Sequence, residues 1–269
     1  MNYEGIIMVL SCQKYINTRC INNNFKSNIN NWLLIKVIGN FFLNEEYIFD
    51  ASNNILNVKC EDSYLHLLKK RILAIKYIKN IFNFNQGILC CGDDVNFNED
   101  FLVKYLNKGK NDYEGQAVGN TNDYIANDKN KLKNCINDLF MYNYYYLHPE
   151  DLSNPMHNLK NITLDYLKDI AKRPNIYGAG GTIFYLSNYS CNILINHMEK
   201  INYNIFHFDE FTNSYPYLIE DCAISFILYF YNINFTNLQY FFTHTNNKNF
   251  ICKSSNITWH TGKHLIWRY

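Results

Sequence analysis

Gly87-Ile88-Leu89-Cys90-Cys91-Gly92-Asp93-Asp94 is the stretch on which the reading of this chain turns. Gly87–Cys91 is too short for a helix and apolar throughout. A strand covered on both faces reads as such a run, whereas a half-exposed strand alternates. It stops abruptly at two adjacent carboxylates. Ile6–Leu10 and Trp32–Ile38, the latter closed by Gly39, have the same character. Between strands lies the clearest helix, Asp62–Phe82, with Asp62 as its cap and Leu65, Leu68, Ile72 and Ile75 at helical spacing. Its other face carries Lys69, Lys70, Arg71, Lys76 and Lys79. Further along, Phe101–Leu106 reads as a short helix and Glu114–Val118 as a strand. Residues 120–160 are polar and aromatic, fit no element and suit an excursion over a site. Thr182–Leu186 is a strand after a glycine cluster, Ser187 caps a helix to about Met198, and Glu220–Tyr231 is a helix. Strands alternating with helices predict an α/β domain with a largely parallel sheet. Ligands of such sheets bind beyond the carboxyl ends of the strands, where Gly92-Asp93-Asp94 would sit.

The chain has 269 residues, no internal repeat and no Pro/Gly-rich linker, which suits one domain. With 48% hydrophobic and 18% charged residues, a full core is expected and global disorder is not. A net charge of +1 argues against a general nucleic-acid binder. Stacking aromatics beside the basic helix face keep that class as a minor rival. Asn makes up roughly a sixth of the chain, far above ordinary usage. This resembles A+T coding bias, so single Asn and Tyr residues, and the sequons at Asn161, Asn188, Asn234 and Asn256, carry little weight. No run approaches the roughly 18 apolar residues of a membrane helix, and no signal peptide is visible. The 9 cysteines form no C-x-x-C pair, and several sit in apolar runs. A reduced, cytoplasmic setting is expected.

Four constellations could carry chemistry, and each has a plainer reading. Asp93 and Asp94 concentrate negative charge that a hard divalent ion would compensate, yet Gly-Asp-Asp is also good turn chemistry. Tyr177-Gly178-Ala179-Gly180-Gly181-Thr182 permits close backbone approach to a ligand, or is simply a tight connection. Glu220 or Asp221 could act as general base, or both could complement a helix macrodipole. His260 is a fair Mn²⁺ ligand, though most lone histidines are structural. No His/Cys zinc spacing is present.

The order of these features resembles glycosyltransferase family 31, the β-1,3-galactosyltransferases, β-1,3-N-acetylglucosaminyltransferases and Fringe. Asp62-Ser63-Tyr64-Leu65-His66-Leu67-Leu68-Lys69-Lys70 is similar to the family's D-[ST]-Y-x-N-L-[ST]-x-K helix start, with His66 and Leu68 departing. Gly92-Asp93-Asp94-Val95 stands where the family has Asp-Asp-Asp-Val, and Asn98 matches a following Asn. Tyr177 to Ser187 resembles its Y-x-x-G-G-x-x-x-x-x-S segment, and Glu220-Asp221-Cys222 its Glu-Asp-Val. Ile6–Ser11 and Trp32–Gly39 look like its first two strands, and Asn249–Cys252 with His260 like its C-terminal stretch.

The resemblance implies a GT-A fold in one domain, residues 1–110 binding nucleotide and 111–269 binding acceptor and carrying catalysis. It further implies a UDP-sugar donor, Mn²⁺ or Mg²⁺, a carbohydrate hydroxyl acceptor and inverting single displacement of N-acetylglucosamine or galactose. Asp94 and His260 would hold the metal. Ser11, Lys70, Asp93, Asp94, Gly180 and Gly181 would line the donor side. Asp221 would be the catalytic base, with Glu220 in reserve. Gly92 replaces the family's first Asp, which keeps open a catalytically inactive sugar- or nucleotide-binding module on the same fold. The family's Arg-rich early segment is reduced to Arg19 and its Golgi anchor is missing. Anchor-free relatives occur in some large DNA viruses, and the composition agrees with such a source. The setting implied is host cytoplasm or a viral factory.

Overall fold

The computed structural model describes residues 2–20, 25–118, 129–133, 135–174, 176–242 and 258–260. It is a mixed α/β structure built on one large sheet. Its strands are β1 (Gly5–Leu10), β2 (Trp32–Gly39), β3 (Tyr47–Asp50), β4 (Ile55–Val58), β5 (Gly87–Gly92), β6 (Tyr113–Val118), β7 (Gly178–Ser187) and β8 (Phe235–Asn237). The order across the sheet is β8-β6-β7-β5-β1-β2-β4-β3, with Asn28–Ile29 added on β2. Strands β5, β1, β2 and β4 are mutually parallel, and β6 and β8 share their direction. Only β3 and β7 on this path run against it.

Every residue of β1 is buried, and its side chains divide between two cores. Ile6, Met8 and Leu10 face a core shared with α1 (Leu67–Ile81), while Ile7 and Val9 face one shared with Leu102, Tyr105 and Leu106 of α2 (Glu99–Leu106). The period of two is present but hidden, because both faces are covered. Three of the remaining helices bear on the site or its support: α3 (Phe140–Leu147), α4 (Asn188–Lys200) and α5 (Glu220–Phe230). Ser187 accepts from Ser190 N and caps α4 as expected. Among the described residues no helix is long and apolar enough to cross a membrane.

Three expectations change. The long helix starts at Leu67, not Asp62, and its cap position is His66. Asp62 instead accepts from Gly39 N at 2.9 Å and Gln13 N at 2.7 Å, so it ties the ends of β1 and β2 together. The basic face that kept a nucleic-acid binder as a rival is largely engaged within the protein: Lys70 and Arg71 are buried, and Lys69 and Lys76 pair with Glu61 and Glu199. The glycine cluster is not a loop but the start of β7. A Cβ on Gly178 would lie 1.9 Å from Ser225 Oγ, and one on Gly115 of β6 2.5 Å from Ala179 Cβ. Glycine is there because neighbouring atoms come too close for a side chain.

Asn proves more informative than its abundance suggests. Among the described residues, every non-glycine position in the left-handed region except Tyr203 is an Asn, Asn30, Asn31 and Asn54 among them. Its short amide tolerates that conformation where most side chains do not.

Candidate functional site

The topology gathers the chemistry at one edge. Parallel β1 and β5 deliver Ser11, Asp93 and Asp94 beyond their carboxyl ends. Because β7 runs the other way, Ile183 pairs with Cys91, which brings Gly181 to the same edge. The first turn of α5 then presents Glu220 and Asp221 to Gly181. Between these groups lies a cleft of about 850 Å³. Ser11, Lys70, Asp93, Asp94, Gly181, Glu220 and Asp221 all line it. Gly180, one residue back on β7, is not among the lining residues. The backbone of Thr258–His260 pairs with Val95–Phe97 and sets His260 opposite Val95, directly after Asp94. The side chain of His260 lies outside the described structure.

The two acids of α5 are not equivalent. Glu220 forms a buried ion pair with Arg71, whose guanidinium lies 5.0 Å from the Phe184 ring centre. Asp221 accepts from Gly181 N at 2.9 Å and from Cys222 N at 2.8 Å. Burial lifts the Asp221 carboxyl above its ordinary range, and those two N–H groups only partly offset it. Burial also lifts that of Glu220; Arg71 pulls it back and Asp221 pushes it up. Burial thus raises both carboxyls, but Glu220 is engaged in an ion pair while Asp221 is held by neutral donors.

The groups at the β1 and β5 end of the cleft form a chain of contacts. Lys70 Nζ donates to Asp62 Oδ1 at 2.8 Å and to the Ser11 carbonyl at 2.7 Å. Burial is the largest influence and opposes its charge, but several attractions led by Asp62 together hold the ammonium above its ordinary value. Ser11 Oγ donates to Asp93 Oδ2 at 2.6 Å. Lys70 therefore acts from within, through Ser11. Among the described residues no group of three or more His, Cys, Asp or Glu is arranged to hold a metal.

Several cleft residues escaped the sequence reading. Tyr64 stacks on Tyr144 with ring centres 4.4 Å apart and tilts against Phe140 at 5.5 Å, which gives the cleft an aromatic wall. The Tyr64 hydroxyl is held protonated by burial and then by the nearby charges of Asp221, Glu220 and Asp94. This one side chain therefore senses both acidic ends of the cleft. Arg19 pairs with Asp93, and Arg173 with Asp138 at 2.9 Å. Phe140 and Tyr144 belong to α3, whose unbroken aromatic run obscured its period. Arg173 carried no motif at all. Two thiols also face the cleft, Cys12 and Cys222. Burial pushes Cys12 up to about 11 and Cys222 well above its ordinary value, so neither is a nucleophile near neutral pH.

A scan of the sequence against protein-family models matches none, and a search of curated proteins finds no significant relative.

Proposed function

We propose that the chain is an inverting, metal-dependent glycosyltransferase of the GT-A type, which moves N-acetylglucosamine or galactose from a UDP-sugar to a carbohydrate hydroxyl. The observation that carries this reading is a single cleft with Asp93–Asp94 at the end of a parallel strand on one side and Asp221 at a helix start on the other. Single displacement needs two carboxylate settings, one for a charged leaving group and one for a neutral hydroxyl. Asp221, raised by burial and fixed by Gly181 N, suits the second: it removes the acceptor proton as the hydroxyl attacks the anomeric carbon. The aromatic wall of Tyr64, Tyr144 and Phe140 suits the apolar face of a sugar ring.

The donor set around Asp94 fits Mg²⁺ or Mn²⁺, which take one or two carboxylates and complete their shell with substrate phosphate and water. Asp94 would hold the ion, with His260 as the second candidate from its backbone position. An ion bound there would supply charge neutralisation for the departing nucleoside diphosphate. Two of the cations that line the cleft are buried and committed, Lys70 to Asp62 and Arg71 to Glu220. Neither can turn to a leaving group, which favours a charge carrier arriving with the donor.

A UDP-release screen across UDP-sugars with Mn²⁺, with and without acceptor glycans, tests the reading. Turnover of at least one donor that stops on chelation is expected; none with any donor refutes it. Gly92 favours the second reading, a sugar- or nucleotide-binding module without turnover. This glycine leaves the end of β5 with one carboxylate fewer, although a Cβ there would meet only the tip of the Asp94 side chain, Oδ1 at 2.8 Å. Binding of UDP-sugar without turnover would select it.

A further inference from the structure

Asp93 is engaged by protein partners on both oxygens. Oδ2 accepts from Ser11 Oγ at 2.6 Å, and Oδ1 pairs with Arg19 Nη1 at 3.2 Å. Ser11 is itself anchored, since Lys70 Nζ donates to its carbonyl. Arg19 is held a second way: its guanidinium carbon lies 3.4 Å from the centre of the Tyr15 ring. The side chains of Arg19 and Asp93 are 19% and 8% exposed, so this is no surface pair screened by water. All of these residues line the cleft, and residues 11–20 leave the carboxyl end of β1, where α/β sheets take their ligands.

A guanidinium carries N–H donors in a rigid planar fork, and among the described residues Asp93 is the one hydrogen-bond acceptor given to Arg19. Stacked from one side and anchored at one corner, the fork loses little freedom on meeting a ligand. Its geometry matches two phosphate oxygens at once.

We propose that Arg19 grips the diphosphate of a nucleotide in this cleft, with Asp93 and Tyr15 as its positioning residues, and that this grip holds the nucleotide without a divalent ion. The proposal rests on the reading of the cleft as a UDP-sugar site. It separates two jobs: Arg19 serves binding, and the ion serves departure of the leaving group. Asp93 then acts through Arg19 and need not touch the nucleotide.

Calorimetric titration of the full chain with uridine, UMP and UDP, in EDTA and in Mn²⁺, tests it. Wild type in EDTA should bind UDP more tightly than uridine. Arg19→Ala should weaken UDP about 10–100-fold, the range for a charge-assisted hydrogen bond, and leave uridine unchanged. Arg19→Lys should recover part of the loss, because a point charge replaces the fork. An equal loss for uridine and UDP would show that Arg19 merely supports the fold and would overturn the proposal. So would UDP affinity in EDTA that ignores the substitution. If wild type binds UDP only with Mn²⁺, the proposal falls and the UDP-sugar reading stands. If it binds no uridine nucleotide under either condition, both fall.

Discussion

Replacing Glu220 by Gln should damage the fold before it damages any chemistry. The substitution keeps the shape of the side chain but removes the charge facing Arg71. Both partners are nearly sealed from water, with side chains 3% and 8% exposed. Removing one member of a buried pair strands the other, at a cost of about 3–5 kcal/mol. A chain of this size loses roughly 2–4 °C of Tm per kcal/mol, so a fall of roughly 6–20 °C is expected. Thermal unfolding followed by circular dichroism, at fixed pH and protein concentration, reads it directly. Arg71→Met combined with Glu220→Leu should recover much of the loss, because an apolar pair no longer carries an unmatched charge. Turnover measured well below the lowered Tm should survive in Glu220→Gln. A Tm within roughly 2 °C of wild type would refute the reasoning. Glu220 would then be available for chemistry, and the assignment of Asp221 as base would lose its main support.

Asp221→Asn should cut kcat about 10²–10⁴-fold, the usual contribution of a general base, while UDP affinity by calorimetry stays at the wild-type value. The same variant should alter the pH dependence of stability. The folded Asp221 carboxyl binds its proton more tightly than the unfolded one, so wild-type stability declines as pH rises from about 4 through the raised value. Denaturant titrations across that range should show a flatter profile for the variant. His197 has the opposite sign: burial lowers it from 6.5 to about 4, so its contribution is complete above 6.5 and is lost as pH falls toward 4. His197→Gln, which keeps a partner for the Tyr217 hydroxyl, should soften acid unfolding over that window. Gly178→Ala should destabilise by about 1–3 kcal/mol through overpacking against Ser225, whereas Gly109→Ala, whose added Cβ meets nothing within 4 Å, should be nearly silent in thermal melts.

The central strands were legible because a strand covered on both faces must be apolar at every position, and that needs no knowledge of its neighbours. Ile6–Leu10, Trp32–Gly39 and Gly87–Cys91 could hardly be anything else, and the turn at Gly92-Asp93-Asp94 followed from where the last one stops. The helices α4 and α5 were equally visible, since Ser187 and the acids at 220 and 221 mark their starts locally. Contacts between distant segments were not legible. Asp62 at the front of a helical pattern has the local chemistry of a cap, and only the approach of Gly39 and Gln13 turns it into a tie between strands. A row of basic residues looks solvated until Glu220 arrives from a distant helix to pair with Arg71 and Asp62, tied to two strands, closes on Lys70. The sequence alone determined the central strands β1, β2 and β5 and the helices α4 and α5, because their periodicity and burial are written along the chain. The tertiary structure alone decided which of two adjacent acids is tied up in an ion pair and which is held by backbone N–H groups. That choice depends on a buried arginine about 150 residues away, and no local spacing records it.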